Sequence, residues 1–457
     1  MIALLGLCMV TVFLYLVMSK RLSPMVSLIV VPAVFAVLGG FAPDLGDMIT
    51  EGITDVAPTA AMLLFAIIYF GIMIDAGLFD PIARGVVRLT RNDPLRLIMG
   101  TVALVALVSL DGDGTTTFMI TVSALLPIYR KLGVSPVLMT GLACMTNAVL
   151  NVVPWGGPAA RAASALRLDP QELFVPMIPA LAAGLVTVFA IAYALGLRER
   201  ARLRTRTGAP VLAGAGGPSV TGGGDDIRGG SDETTRGGSA DFDVLAPDRE
   251  SLRPKLIWFN AGLTVVLLTA LIIGVLPIAV LFMIGTGLAL IVNYPRLEQQ
   301  RARIASHADS VVAVVAMVFA AAVFTGVLSG TGMIEQMAQY LLVAMPDALF
   351  PFFSVIVAVL SVPLTFFMSN DAFYFGVMPI LAEAGAQHGI GAMEIARASL
   401  LGQPIHMLSP LVPAMYVLIG LAKVDLGDHH RFAIKWALVV CAVVIASGLG
   451  IGIIAIH

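Results

Sequence analysis

An all-α polytopic membrane protein made of two inverted-topology repeats is the fold class this sequence predicts, on three observations. The 457 residues are 58% hydrophobic and only 12% charged, with a mean hydropathy of +0.95, whereas soluble domains carry about 25% charged residues. Two apolar stretches are interrupted by polar runs, Ser109-Leu-Asp-Gly-Asp-Gly-Thr-Thr-Thr117 and Phe366-Phe-Met-Ser-Asn-Asp-Ala-Phe-Tyr374. Lys and Arg are distributed over the loops in opposite order in the two halves.

Apolar segments of spanning length occur near 2–18, 22–42, 58–79, 175–197, 256–274, 276–293, 311–330 and 432–455, since a bilayer needs about 17–25 residues of helix. Lys20-Arg21 follows the first segment instead of preceding it, so a retained helix is expected there and not a cleaved leader. Gly- and Pro-interrupted stretches fill 95–168 and 350–421. Such interruptions in corresponding places point to a transport site.

Basic residues orient the segments. Loop one has Lys20 and Arg21, and the second loop, 43–57, has only the acids Asp44, Asp47, Glu51 and Asp55. Arg84, Arg88, Arg91 and Arg96 follow, and the central linker opens with Arg198, Arg200, Arg202, Arg204 and Arg206 and closes with Arg253 and Lys255. The second half reverses the order: its first loop, 274–277, is uncharged, its second carries Arg296, Arg301 and Arg303, and 304–396 holds no Lys or Arg. The expected organisation is a first repeat over 1–197, a cytoplasmic linker over 198–255 and an inverted second repeat over 256–457, with both termini outside. Each repeat takes five crossings and one re-entrant hairpin, the hairpins being 97–111 with 114–129 and 350–368 with 372–385. Residues 208–254 are Gly-rich with scattered charge, too poor in apolar content for a core, and read as a disordered tether.

The polar positions carry the chemistry. A carboxylate at a helix centre in a bilayer costs about 2.5–3.5 kcal/mol on insertion scales, so one that is kept there is a candidate functional group. Asp111 and Asp113 flank Gly112 at the first hairpin tip, ahead of Gly114 and Thr115–Thr117. Carboxylate and hydroxyl oxygens suit a hard cation or a proton; the competing role is capping of the returning helix. Ser369, Asn370 and Asp371 form the second tip, with the same two readings. Thr146–Pro158 breaks the helix after the first hairpin: Asn147 and Asn151 share a face at i, i+4, and Pro154, Gly156, Gly157 and Pro158 prevent a regular helix. Arg161 beyond it would partner an anion or Asp113, or would be an interfacial arginine. Gly402–Pro410 is the second break, with Gln403, His406 and Ser409 polar in an apolar run. His406 either titrates or is a buried structural histidine. Asp75 has no basic neighbour in sequence and reads as a helix-end or proton-relay residue. Cys8, Cys144 and Cys441 lie far apart without metal-ligand spacing and read as buried small hydrophobes; the scattered Met and Phe read as packing.

Leu110-Asp-Gly-Asp-Gly-Thr-Thr-Thr117, Asn151-Val-Val-Pro-Trp-Gly-Gly-Pro158 and the Gly402–Pro410 break resemble those of the citrate–divalent metal/proton symporter family of the ion transporter superfamily. The resemblance spans nearly the whole chain apart from the linker. It implies a bacterial inner-membrane carrier that takes up citrate complexed to a divalent metal such as Mg or Ca, driven by protons, and forms a homodimer. No permanently bound cofactor and no nucleic-acid partner are expected; the metal arrives with the substrate. On this reading Asn147, Asn151, Gly156, Gly157, Thr115, Thr116, Ser369, Asn370, Gln403 and His406 line the substrate site, and Asp113, Asp371 or Asp111 takes the coupling ion. A carrier for another small carboxylate, or a cation/proton antiporter, is the alternative. An aspartyl hydrolase is disfavoured because Asp111 and Asp113 sit on one tip, whereas such enzymes bring carboxylates together from separate segments. A channel would not need paired opposite hairpins.

Overall fold

The computed structural model describes residues 2–19, 21–89, 93–207, 250–344 and 346–457. Lys20, Arg91 and residues 208–249 of the expected tether lie outside them. Helices make up the regular structure, with no strand among the described residues. The chain runs through α1 (Ile2–Met18), α2 (Pro24–Leu38), α3 (Leu45–Asp75), α4 (Asp80–Leu89), α5 (Pro94–Val108), α6 (Gly114–Lys131), α7 (Pro136–Leu150), α8 (Gly157–Leu166), α9 (Pro170–Phe174) and α10 (Ile178–Thr207). It continues through α11 (Ile257–Ile273), α12 (Ile278–Asn293), α13 (Leu297–Ser306), α14 (Ala308–Gly330), α15 (Met333–Ala344), α16 (Phe353–Phe367), α17 (Met378–Ala386), α18 (Ala392–Leu401), α19 (Pro413–Ala422) and α20 (Leu426–Ile451). Among the described residues seven helical stretches are long and apolar enough to cross a bilayer. A helical hairpin followed by an interrupted helix occurs twice, as α5–α6 with α7–α8 and as α16–α17 with α18–α19.

The acidic segment 43–57 is not the loop that its charges predict. It forms the first turns of α3, which runs without interruption from Leu45. The reason is close packing on α14: Gly52 lies against the Ala322 carbonyl and Gly326 against the Met48 carbonyl, so two small residues let the backbones approach. The acids point to the other faces, where Asp55 and Glu51 meet Arg167 Nη1 at 2.8 and 3.7 Å. Helix α10 continues through Thr207, into the expected linker. Cys144 and Cys441 are buried free thiols as expected, whereas Cys8 is exposed on α1.

Polar clasps fix the helices that frame the hairpins. Asp93 caps α5 by accepting from Leu95 N at 3.1 Å and accepts from Arg200 Nε of α10 at 3.0 Å. The Arg200 guanidinium holds the Asp93 carboxyl below the usual carboxylate range. A lowered folded value means that the clasp contributes fully above about pH 4, the unfolded carboxylate value, and is lost as acid takes the pH down through the folded one. Between α11 and α12, Asn260 and Asn293 exchange two buried amide hydrogen bonds of 2.9 and 2.8 Å. Asn293→Ala leaves the Asn260 amide without that partner, and a loss of about 1–2 kcal/mol is expected. A lowered unfolding temperature of the detergent-solubilised protein would report it, and an unchanged midpoint would assign the pair no stabilising role.

Candidate functional site

The first hairpin turns through a 3₁₀ turn, Ser109–Asp111, and then Gly112 at φ +80°. That conformation favours glycine, and a Cβ there would also meet Trp155 Cδ1 at 2.9 Å. Asp113 is the N-cap of α6: its carboxylate accepts from Thr115 N at 3.1 Å, from Thr116 N at 2.9 Å and from the Thr116 hydroxyl at 2.6 Å. The capping geometry is therefore present at Asp113, and the Thr116 hydroxyl is engaged by it. Asp111 is buried; its Oδ1 accepts from Asp113 N at 2.9 Å and its Oδ2 has at most the Thr117 hydroxyl as a partner.

The interruption between α7 and α8 folds back on this tip. Trp155 Nε1 donates to the Leu110 carbonyl at 2.9 Å, and Asn147 Nδ2 donates to Ser109 Oγ at 3.0 Å. The chain can turn there because Gly156 is bare: a Cβ would overlap the Asn151 carbonyl oxygen and approach that of Val153 to 2.9 Å. Asn147 and Asn151 each keep a buried side-chain oxygen without a partner. From α8, Arg161 donates through Nη1 to the Gly157 carbonyl at 3.0 Å and through Nε to Asp371 Oδ1 at 2.5 Å. Arg161 was expected to meet an anion or Asp113; the carboxylate it meets is Asp371, on the opposite hairpin.

The second tip begins with Ser369, whose Oγ accepts from Ala372 N at 3.2 Å, and enters one π-helical stretch, Ala372–Val377, before α17. Single π turns inside α-helices are frequent at functional sites. The second break is a 3₁₀ stretch, Gln403–Leu408, buried throughout. Gln403 Nε2 donates to Tyr374 Oη at 2.7 Å and to Asn370 Oδ1 at 3.3 Å, and its own Oε1 is buried without a partner. His406 Nδ1 lies 2.6 Å from the Thr365 carbonyl; a carbonyl only accepts, so this nitrogen carries the proton and the ring ties the break to α16. Ser409 Oγ accepts from Leu411 N at 3.2 Å and serves the turn.

The four segments are joined in a ring. Tip one meets break one through Trp155 and Asn147, and the bare Gly114 of tip one leaves room for Met407 of break two. The breaks meet where Cys144 Sγ lies 3.2 Å from the Met407 carbonyl. Tip two joins break one through Arg161 and break two through Gln403. Buried polar side-chain atoms are nearly always paired. Yet Asn147 Oδ1, Asn151 Oδ1 and Gln403 Oε1 have no partner, Asp111 Oδ2 and Thr117 Oγ1 have at most each other, and all five belong to these segments. They are oxygen atoms that would accept from a donor or coordinate a cation, while Arg161 supplies the one guanidinium in the ring. Thr115, Gly157 and Ser369 are partly exposed around it.

Ser109, Trp155 and Tyr374 join the candidate site without having been singled out from sequence; the Trp155 indole, set between Pro154 and Gly156, was the available signal. Asp75 lies apart from the ring, with its Oδ2 3.2 Å from Arg303 Nη1 and 3.1 Å from His307 Nε2. A cavity of about 460 Å³ lined by Ala76, Asp80, Arg84, Arg88, Leu252 and Ile257 among others opens beside the end of α3 and holds none of the ring residues.

Residues 3–402 match the family model of the CitMHS citrate transporters. A citrate transporter of Bacillus subtilis is 50% identical over 455 residues, covering 99% of this chain and 100% of that protein. A Mg(2+)/citrate complex secondary transporter of the same organism is 46% identical, with 100% of each chain covered. In fold, the crystal structure of the YdaH transporter of Alcanivorax borkumensis superposes with a TM-score of 0.54 over 97% of each chain, at 14% identity.

Proposed function

Because the chain belongs to the CitMHS citrate transporter family, we propose that it is a secondary active transporter importing a citrate–divalent metal complex, coupled to protons, by alternating access. The observation that carries the reading is the gathering of unpartnered buried oxygens at the first hairpin tip and the two helix breaks, with the second tip joined to them through Arg161 and Gln403. Leaving a buried polar group unpaired costs roughly 1–3 kcal/mol, which a ligand offsets by supplying the missing partner. Oxygen acceptors fit a hard cation, so Asp111, Thr117, Asn147, Asn151 and Gln403 face the metal side of the complex and the citrate hydroxyl. Arg161 faces a carboxylate, since a guanidinium matches a carboxylate in two-pronged fashion. A relative named for the Mg(2+)/citrate complex supports Mg as the metal.

In this reading the two halves are inverted repeats embedded in the plasma membrane, the tether joins them on the cytoplasmic side, and both termini face outward. Their tips meet near the bilayer midplane, where half-helix ends and unwound backbone serve substrate and coupling ion. The protein works as a homodimer. Asp113, Asp371 and Asp111 are the carboxylates placed to take the coupling proton.

Asp113→Asn separates two roles. Asparagine caps a helix about as well as aspartate, so α6 stays folded while the charge is removed. Citrate uptake is expected to fall by at least about tenfold with the protein still monodisperse. Wild-type uptake in this variant would leave Asp113 as a cap alone. The proposal as a whole is tested in proteoliposomes with labelled citrate under an imposed pH gradient, with Mg, Ca and other divalent cations supplied in turn. Accumulation that needs both the metal and the gradient is expected, and equal accumulation with the metal chelated would overturn the reading.

A further inference from the structure

His429 lies in the first turn of α20 and is fully buried. Its Nδ1 is 3.0 Å from Thr140 Oγ1 on α7. That hydroxyl has one proton, and it is directed at the Val137 carbonyl at 3.1 Å. With the hydroxyl proton given to that carbonyl, Nδ1 is the donor, which leaves the lone pair of the neutral ring on Nε2. Nε2 is buried and has no partner.

The next residue, His430, donates from Nε2 to the Leu408 carbonyl at 2.8 Å, because a carbonyl only accepts. The two imidazoles have ring centroids 5.9 Å apart. Two successive histidines thus connect α7, which carries Asn147 and ends at Asn151, with the second break.

A proton added to His429 would turn Nε2 into a buried donor with no acceptor. It would also set a cation in the first turn of a helix, where the positive end of the macrodipole disfavours it. The packing of α7 on α20 accommodates only the neutral ring. We infer that His429 is a proton-carrying residue of the transport cycle: neutral while α7 and α20 are packed as described, and protonated when they separate. A proton on Nε2 and the described packing of α7 on α20 then exclude each other. The inference rests on the proton-coupled reading above.

Several other ionisable groups on the packed elements have partners of their own. Cys144 of α7 faces the Met407 carbonyl, and His406 of the second break is tied to Thr365. Glu199 of α10 pairs with Arg202. On α18, Glu394 accepts from Ser354 and Arg397 donates to the Glu172 carbonyl. On α20 itself Asp425 caps the helix, and Asp428 lies 3.7 Å from Arg431. His430 remains the ionisable neighbour, with its ring centroid 5.9 Å from that of His429.

His429→Asn keeps an N–H directed at Thr140 and removes the titrating ring. In proteoliposomes, counterflow of labelled citrate with Mg at equal pH is expected to stay within about twofold of wild type, while accumulation under a pH gradient falls by at least about tenfold. Accumulation with the wild-type pH profile would overturn the inference, and so would loss of counterflow together with accumulation, which would make His429 a packing residue. Thr140→Val provides a second variant that keeps the imidazole and frees Nδ1. Its uptake pH profile is expected to shift with counterflow retained, and an unmoved profile counts against the proposal. A wild-type protein that exchanges citrate but ignores the gradient would refute proton coupling itself. A gradient-driven wild type beside a gradient-driven His429→Asn variant would sink this inference alone.

Discussion

Arg161→Gln is expected to abolish citrate uptake and to destabilise the protein. The Arg161 and Asp371 side chains are 27% and 13% exposed, and the pair spans two segments 210 positions apart in sequence. Removing one member of such a pair leaves the other charge desolvated and uncompensated, at a cost of up to about 3–5 kcal/mol when burial is complete. Asp371→Asn should be destabilising for the same reason. Combining the two removes both charges, so the double variant should recover most of the thermal stability while remaining unable to transport, since no guanidinium is left for a carboxylate. Uptake and unfolding temperature, measured on both single variants and the double, separate these effects. A double variant that transports normally would remove the pair from substrate handling and leave it a structural contact.

Gly156→Ala is expected to be nearly as damaging. The added methyl would overlap the Asn151 carbonyl oxygen and crowd that of Val153, and backbone atoms cannot turn aside as a flexible side chain would. Overpacking of this kind costs about 1–3 kcal/mol, and here the relaxation moves the segment that carries Asn151 and Trp155. Counterflow should drop by roughly a hundredfold. Gly262→Ala is the control: it lies inside α11 with nothing within 4 Å of the added carbon. It should be neutral or slightly stabilising, since alanine is the better helix former by about 0.5–1 kcal/mol. Equal transport by the two variants would mean that the geometry of the break does not matter.

Much of this arrangement was legible in the sequence because each element carries a local signal. Gly112 and Pro154–Pro158 mark places where a helix cannot continue, and both hairpin turns fall where polar residues interrupt apolar runs. The acidic run 43–57 carries the charge of a loop but packs as a helix: Gly52 and Gly326 reveal their packing only when α3 and α14 are side by side. Pairings between distant residues leave no trace in one sequence. Asp75 has no basic neighbour along the chain and meets Arg303 and His307 in space, while Arg161 could be assigned a carboxylate but not the correct one. Asp113 was read as either a cap or a functional group, and its cap geometry does not exclude the second role.

The measurement that bears most directly on the central claim is ligand protection of both hairpin tips. Thr115→Cys and Ser369→Cys would be made separately in a background in which exposed Cys8 is replaced by serine, the buried Cys144 and Cys441 being retained. Saturating Mg and citrate together should slow alkylation at both positions, and neither component alone should do so to the same extent. Protection at one tip only, or at neither, would contradict a site shared by the two hairpins.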